Sequence, residues 1–208
     1  AGASHPRKVR IVTQAILVLH AGSSSIKFGV FEAQPGGTQL MKGVVERIGA
    51  GAELHSGERR EALPLASDAG HLEIMMWLTQ DLKEQLQGIE LVGAGHRVVH
   101  GGQYFTRSTL IDAAVIEQIR LLSPLAPAHQ PHNLAGITAL KMLWPDIPQV
   151  ACFDTAFHRT QPRLAQMYAL PRALTDEGVL RYGFHGLSYD YIASRLPDYV
   201  GETASGRV

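Results

Sequence analysis

A mixed α/β sheet with helices on its faces is the fold this sequence predicts, and three observations carry it. Two β-type runs at 16–19 and 26–31 flank the polar turn Ala21-Gly22-Ser23-Ser24-Ser25, the pattern of a hairpin. A third β run at 40–48 follows the Pro-Gly-Gly turn at 35–37. From residue 71 onward, stretches of helical periodicity alternate with short apolar strands. A meander followed by such alternation describes one mixed sheet.

Each element has its own signal. Residues 49–70 are rich in Gly and charge, with a short apolar break at 63–65, and read as loop with room for one edge strand. Over 71–87 the residues Leu72, Met76, Leu78, Leu82 and Leu86 share a helical face, with Asp68 as cap and Gly88 as stop. The segment IELVGAGHRVVH at 89–100 reads as a strand ending at Gly101-Gly102. Asp112 caps a helix over 113–122, and the connection SPLAPAHQP delivers Pro131 to the first turn of a helix over 132–144. Pro145 stops that helix, and 150–153 is a short buried strand ending on Asp154. A Tyr-Gly-Phe-His-Gly segment at 182–186 lies in a loop before a helix over 189–196, capped by Ser188 and stopped by Pro197. No repeat of 20–50 residues is visible.

Composition excludes several classes. Lys plus Arg and Asp plus Glu are 19 each, so there is no electrostatic footprint for nucleic acid or an anionic membrane. Hydrophobic content of 45% supports a packed core, yet no apolar run approaches a bilayer span. Cys152, in a predicted buried strand, cannot make an internal disulfide, and a cytoplasmic location is the simplest expectation. Residues 1–14 are polar and basic and read as a leader or cloning remnant. The closing ETASGRV stops where another strand is due, so the sequence is expected to be the first part of a longer one.

Polar and ionisable residues gather at strand ends and turns, where α/β proteins place chemistry. The hairpin tip carries three hydroxyls and small neighbours, with Lys27 just inside the second strand. It suits phosphate oxygens, or is an ordinary Ser/Gly turn. It is not a Walker loop, because the second Gly is missing and a strand follows. Arg97 in GHRVVHGG is a buried paired cation or an anion clamp. Asp154 suits a magnesium carboxylate or a plain helix cap. His96 and His100, four apart on one strand face, and His129 and His132 read as structural histidines ahead of a zinc site, since no HExxH or Cys cluster accompanies them.

Together the blocks LVLHAGSSSIKF, GHRVVHGGQYFT, LAPAHQPHNLAGI, FDTAFHRTQP and YGFHGLS resemble the ordered signature blocks of the acetate kinase family. The resemblance covers nearly all of the sequence after the leader and about the first half of such an enzyme. It implies an actin-like (sugar kinase/Hsp70-like, ribonuclease H-like) fold, with 15–153 as the N-terminal domain and 154–208 as the start of a second, related one. The implied reaction is reversible magnesium-dependent phosphoryl transfer from ATP to acetate, giving acetyl phosphate and ADP, in an enzyme that pairs as a homodimer. By motif, Ser23, Ser25 and Lys27 face the phosphates. Arg97, Val99, Ala128 and Phe184 line the acetate pocket, with Arg97 on the carboxylate. Asp154 is the active-site carboxylate near the metal, and His185 stabilises the transferring phosphoryl group. Such an arrangement matches what the transfer needs, cations and donors fixed around spread charge.

Three departures from the family pattern stand out. His20 replaces the family's metal-side Asn, and a neutral imidazole is a poor magnesium ligand. Ala128 stands where a Leu is expected, which would enlarge the pocket. Leu187 and Tyr189 replace a usual Thr and His. The adenosine site, a further Arg and a metal-side Glu belong to the family's second half, so this portion alone is expected to be inactive. The alternatives are a propionate or butyrate kinase of the same family, or a non-catalytic module that kept the fold.

Overall fold

The computed structural model describes residues 12–205. Most of the expected leader lies outside them, but Thr13 and Gln14 already belong to β1, Thr13–Ala21. Alternation builds that strand: Ala15, Leu17, Leu19 and Ala21 are buried, whereas Ile16 and Val18 face outward, 38% and 41% exposed. β2, Ile26–Glu32, pairs antiparallel with it, placing Lys27 opposite His20. β3, Gln39–Glu46, continues the meander.

The expected loop at 49–70 instead contains a second hairpin, β4 Glu53–Ser56 and β5 Arg59–Ala62, turning at Gly57 with φ +59°. Its strands are four residues each and charged on the outside, too short for a period-two pattern to stand out. Helix α1, His71–Gln85, follows. Gly70 stands at its N-cap position without a side-chain bond, so Asp68 is not the cap. The buried face is Ile74, Met75, Leu78, Thr79 and Leu82. Leu72, assigned inward from periodicity, is 48% exposed.

β6, Ile89–Val98, lies parallel to β1, and β8, Gln149–Phe153, lies parallel to β6. A two-residue strand β7, Thr109–Leu110, closes the far edge. The order across the sheet is β5-β4-β3-β2-β1-β6-β8-β7. Between β7 and β8 run α2, Ala113–Leu121, and α3, Gln130–Leu143. Asp112 caps α2 as expected, accepting from the Val115 amide at 2.8 Å. α1 and α3 pack together so closely that a Cβ on Gly136 would lie 2.9 Å from Met75 Cε. Leu17, Leu19, Val45, Leu78, Leu82 and Leu140 are fully or almost fully buried between sheet and helices, each contributing about 1.5–3 kcal/mol.

Beyond β8 come the short helix α4, Arg172–Asp176, and the long α5, Gly186–Val200. α5 begins three residues before its expected start and runs through Pro197. Its start is set by a tertiary bond, Gly186 amide to the Asp154 carbonyl at 2.8 Å, which no local capping pattern encodes. Among the described residues, no helix is long and apolar enough to cross a membrane.

Candidate active site

Because β1, β6 and β8 are parallel, their carboxyl ends open on one edge of the sheet, where α/β folds place ligands. That edge collects His20 from β1, Arg97 and the following Val99 from β6, and Asp154 just past β8. Arg97 is the hub. Its Nε donates to Asp154 Oδ1 at 3.0 Å, its Nη2 donates to Oδ2, and its Nη1 donates to His20 Nε2. Asp154 is 1% exposed, and a buried carboxylate needs a partner of this two-pronged kind. The carboxylate is therefore an ion-pair member and not a helix cap.

His20 accepts from Arg97, so its ring is neutral with the proton on Nδ1. Burial, then the Arg97 and Lys27 cations, push its pKa down from 6.5 to about 4. Such a ring, its lone pair already engaged, supplies no oxygen to a hard cation.

The hairpin tip is closed by the Gly22 amide donating to the Ser25 carbonyl at 2.8 Å. Ser23 and Lys27 are exposed and Ser25 is half-buried, which leaves the tip open to an anion. The Gly22 carbonyl accepts from His71 Nε2 at 2.7 Å, and His71 stacks on His132 with ring centroids 3.6 Å apart. His132 thus packs on His71, which bonds the tip, while His96 and His100 are buried elsewhere. His96 Nε2 bonds Gln149 Oε1 at 2.7 Å, and His100 Nδ1 accepts from the Gly102 amide at 2.9 Å. Among the described residues no three His, Cys, Asp or Glu side chains gather as a metal cluster. Cys152 is half-buried, not buried as expected, and free.

Two buried amides on the first turns of α3 escaped the sequence reading. Asn133 Oδ1 accepts from the Val99 amide at 3.1 Å while its Nδ2 donates to the Ala21 carbonyl at 3.0 Å. Gln130 Nε2 donates to the His100 carbonyl at 3.0 Å. Thr155 Oγ1, likewise missed, accepts from the Gly101 amide at 2.9 Å. These groups fix the ends of β1, β6 and β8 against each other. The available signal was amphipathic: Gln130 and Asn133 sit on the inward face of a helix whose other inward residues are apolar.

Val99 is 8% exposed and Phe184 40% exposed. Phe184 lines a cavity of about 530 Å³ with His100, Tyr104, Tyr168 and Tyr182, in which Val99 has no part. His185 is exposed and holds φ +58°, the left-handed region that non-glycine residues rarely adopt. It is pinned from both sides, by His158 Nε2 on the Phe184 carbonyl at 2.8 Å and by the Gly186 amide on Asp154. A Cβ on Gly186 would lie 2.3 Å from that Asp154 oxygen. Ala128 is exposed in the turn before α3 and closes no buried wall. The structure thus brings His20, Lys27, Arg97 and Asp154 together, with the hairpin tip beside them and His185 one residue from an Asp154 contact.

A strand order β3-β2-β1-β6-β8, antiparallel then parallel, with charged side chains at the carboxyl ends, defines an actin-like α/β protein. The acetokinase family model matches residues 15–206, and the chain belongs to that family. It is 44% identical over 205 residues to an acetate kinase of Rhodopseudomonas palustris, covering 95% of this chain and 52% of the relative. An acetate kinase of Nitrobacter hamburgensis is 46% identical, with 93% and 50% covered. Among solved structures, a propionate kinase from Francisella tularensis superposes with TM-score 0.80 at 36% identity, over 89% of this chain and 48% of that one. The acetate kinase of Porphyromonas gingivalis gives TM-score 0.76 at 36% identity, over 90% and 49%. The chain spans about half the length of the relatives it matches.

Proposed function

We infer that this chain supplies the carboxylate-binding side and one phosphate wall of an acetate kinase. The observation that carries this reading is the Arg97–Asp154 pair at the joint carboxyl ends of β1, β6 and β8, beside the open hairpin tip. In this reading Arg97 receives the carboxylate of acetate through its outer edge, where His20 now accepts from Nη1. Val99 and Phe184 flank the methyl group, and Ser23, Ser25 and Lys27 hold phosphate oxygens. His185, with its backbone fixed, donates to the group in transfer. Positioning and charge stabilisation of this kind are most of what phosphoryl transfer asks of a protein.

In this reading Asp154, both of whose oxygens accept from Arg97, would be the one carboxylate toward magnesium, which when bound with phosphates takes one or two carboxylates and several waters. His20 is not a ligand in this reading. When bound, the ion would neutralise charge on the phosphates of ATP. The nucleotide base, a second-domain role for 154–208, a homodimer and a cytoplasmic location follow the family in the same reading. A propionate kinase of the same family is the second reading, favoured by the Francisella tularensis propionate kinase, which superposes with TM-score 0.80.

The test joins residues 1–208 to the C-terminal half of the Rhodopseudomonas palustris relative and traps acetyl phosphate as its hydroxamate. Formation from acetate, ATP and magnesium is expected, lost on Arg97→Ala. A folded joined protein that makes none contradicts the reading.

A further inference from the structure

The outer face of the sheet carries a row of basic side chains of which the hairpin reading uses only Lys27. Strand register sets the row: Lys27 on β2 lies opposite Val44 on β3, Val44 opposite His55 on β4, and His55 opposite Arg60 on β5. Directly opposite residues share a face, and strands are about 4.8 Å apart, so the row spans roughly 14 Å. Lys42, opposite Gly29, flanks it two residues along β3. At its inner end His20 lies opposite Lys27 and bonds Arg97.

The row lines a cavity of about 450 Å³ whose wall includes Lys27, Lys42, His55 and Arg60 and contains no Asp or Glu. The acids of the same face, Glu46 and Glu53, lie one row further along; Glu53 bonds Arg47 and has its other oxygen 3.8 Å from His55 Nε2. Among the described residues, Lys27, Lys42 and Arg60 have no ion-pair partner. Arg59, one position from Arg60, points to the helix side and is satisfied by Asp81 and Glu61. The chain has equal numbers of acids and bases, so Lys42 and Arg60, unpaired in a concavity without acids and with Lys27 at its inner end, are a local excess. Lys27 and Lys42 are diagonal neighbours on β2 and β3, so like charge meets on one face of the sheet.

We propose that this concavity is an anion site that adjoins the hairpin tip at Lys27 and extends beyond it, and that it takes a linear chain of phosphates lying across β3 to β5. Several cations spaced along a row match a ligand whose charges are also spaced along a line. A single phosphate would satisfy only one end. An anion held here requires no kinase activity, so the site stands or falls apart from the acetate reading.

The experiment is calorimetric titration of inorganic tripolyphosphate into the 208-residue chain at low salt. One-site binding is expected, weakened by added salt and clearly tighter than binding of monophosphate. Lys42→Ala and Arg60→Ala, both at exposed positions, should each weaken it by about threefold to fivefold at unchanged melting temperature, and Arg60→Glu by more. ATP binding equal to tripolyphosphate would assign the site to the phosphate chain alone. ATP binding more than about tenfold tighter would assign it to a nucleotide, a difference of about 1.4 kcal/mol. No binding, affinity for monophosphate equal to that for tripolyphosphate, or affinity untouched by all three variants overturns the proposal.

Discussion

Arg97 holds Asp154 with two prongs of its guanidinium and presents only its remaining edge to His20. The two sequence readings of this arginine, structural cation and anion clamp, are therefore not exclusive. One edge secures a carboxylate that is 1% exposed, and the other, which bonds His20, is the one the proposed function gives to a ligand.

Arg97→Ala should consequently damage both stability and activity. It leaves the Asp154 charge buried and unpaired, a cost of about 3–5 kcal/mol. Replacing both partners by Arg97→Met with Asp154→Asn should recover much of that stability in urea unfolding and none of the activity. A single Arg97→Ala variant as stable as the parent would mean that Asp154 gains little from the pair.

Asn133→Leu removes the amide that joins the Val99 N–H to the Ala21 carbonyl. Two buried backbone groups lose their partner, at about 1–3 kcal/mol each. Amide hydrogen exchange should accelerate at Val99 before global unfolding. Unchanged exchange there would show that water replaces the side chain without loss.

Acid should weaken the fold through His96. Burial holds its pKa down to about 4 from 6.5, against a smaller upward push from Gln149. The unfolded chain therefore takes up a proton between pH 6.5 and 4 that the native state refuses, and stability falls as pH falls through that window. Fully protonated, the cost is on the order of 3 kcal/mol. His20, lowered by burial and by Arg97 and Lys27, adds in the same direction. Replacing the pair, His96→Leu with Gln149→Leu, should flatten the pH dependence of urea unfolding; an identical slope would remove His96 from the account.

The 208-residue chain by itself should release no ADP above background with ATP, magnesium and acetate. Turnover in the ordinary enzyme range, about 1–1000 per second, would mean that these residues suffice for the transfer.

Much of this was legible in the sequence because the informative signals are local. The hairpin, the Asp112 cap and the Pro131 start of α3 each follow from a few neighbouring residues. The β4–β5 hairpin was not legible, since four-residue strands with charged outer faces carry little periodicity. The start of α5 was missed because the Asp154 carbonyl, 32 residues away, replaces a local cap. In the site, charged residues announced themselves by type, whereas Asn133, Gln130 and Thr155 act through backbone groups distant in sequence. Ala128 was placed by motif, and its exposure gives it less of a wall to complete.

The central claim is that the outer edge of Arg97 carries the substrate carboxylate, and the most direct measurement is kcat/KM for acetate in the joined protein with Arg97→Lys. Lysine keeps a charge near Asp154 but loses the planar fork. A fall of about a hundredfold, roughly 2.7 kcal/mol, is expected, with a melting temperature near that of the parent. An unchanged kcat/KM would contradict it, leaving Arg97 as the partner of Asp154 and nothing more.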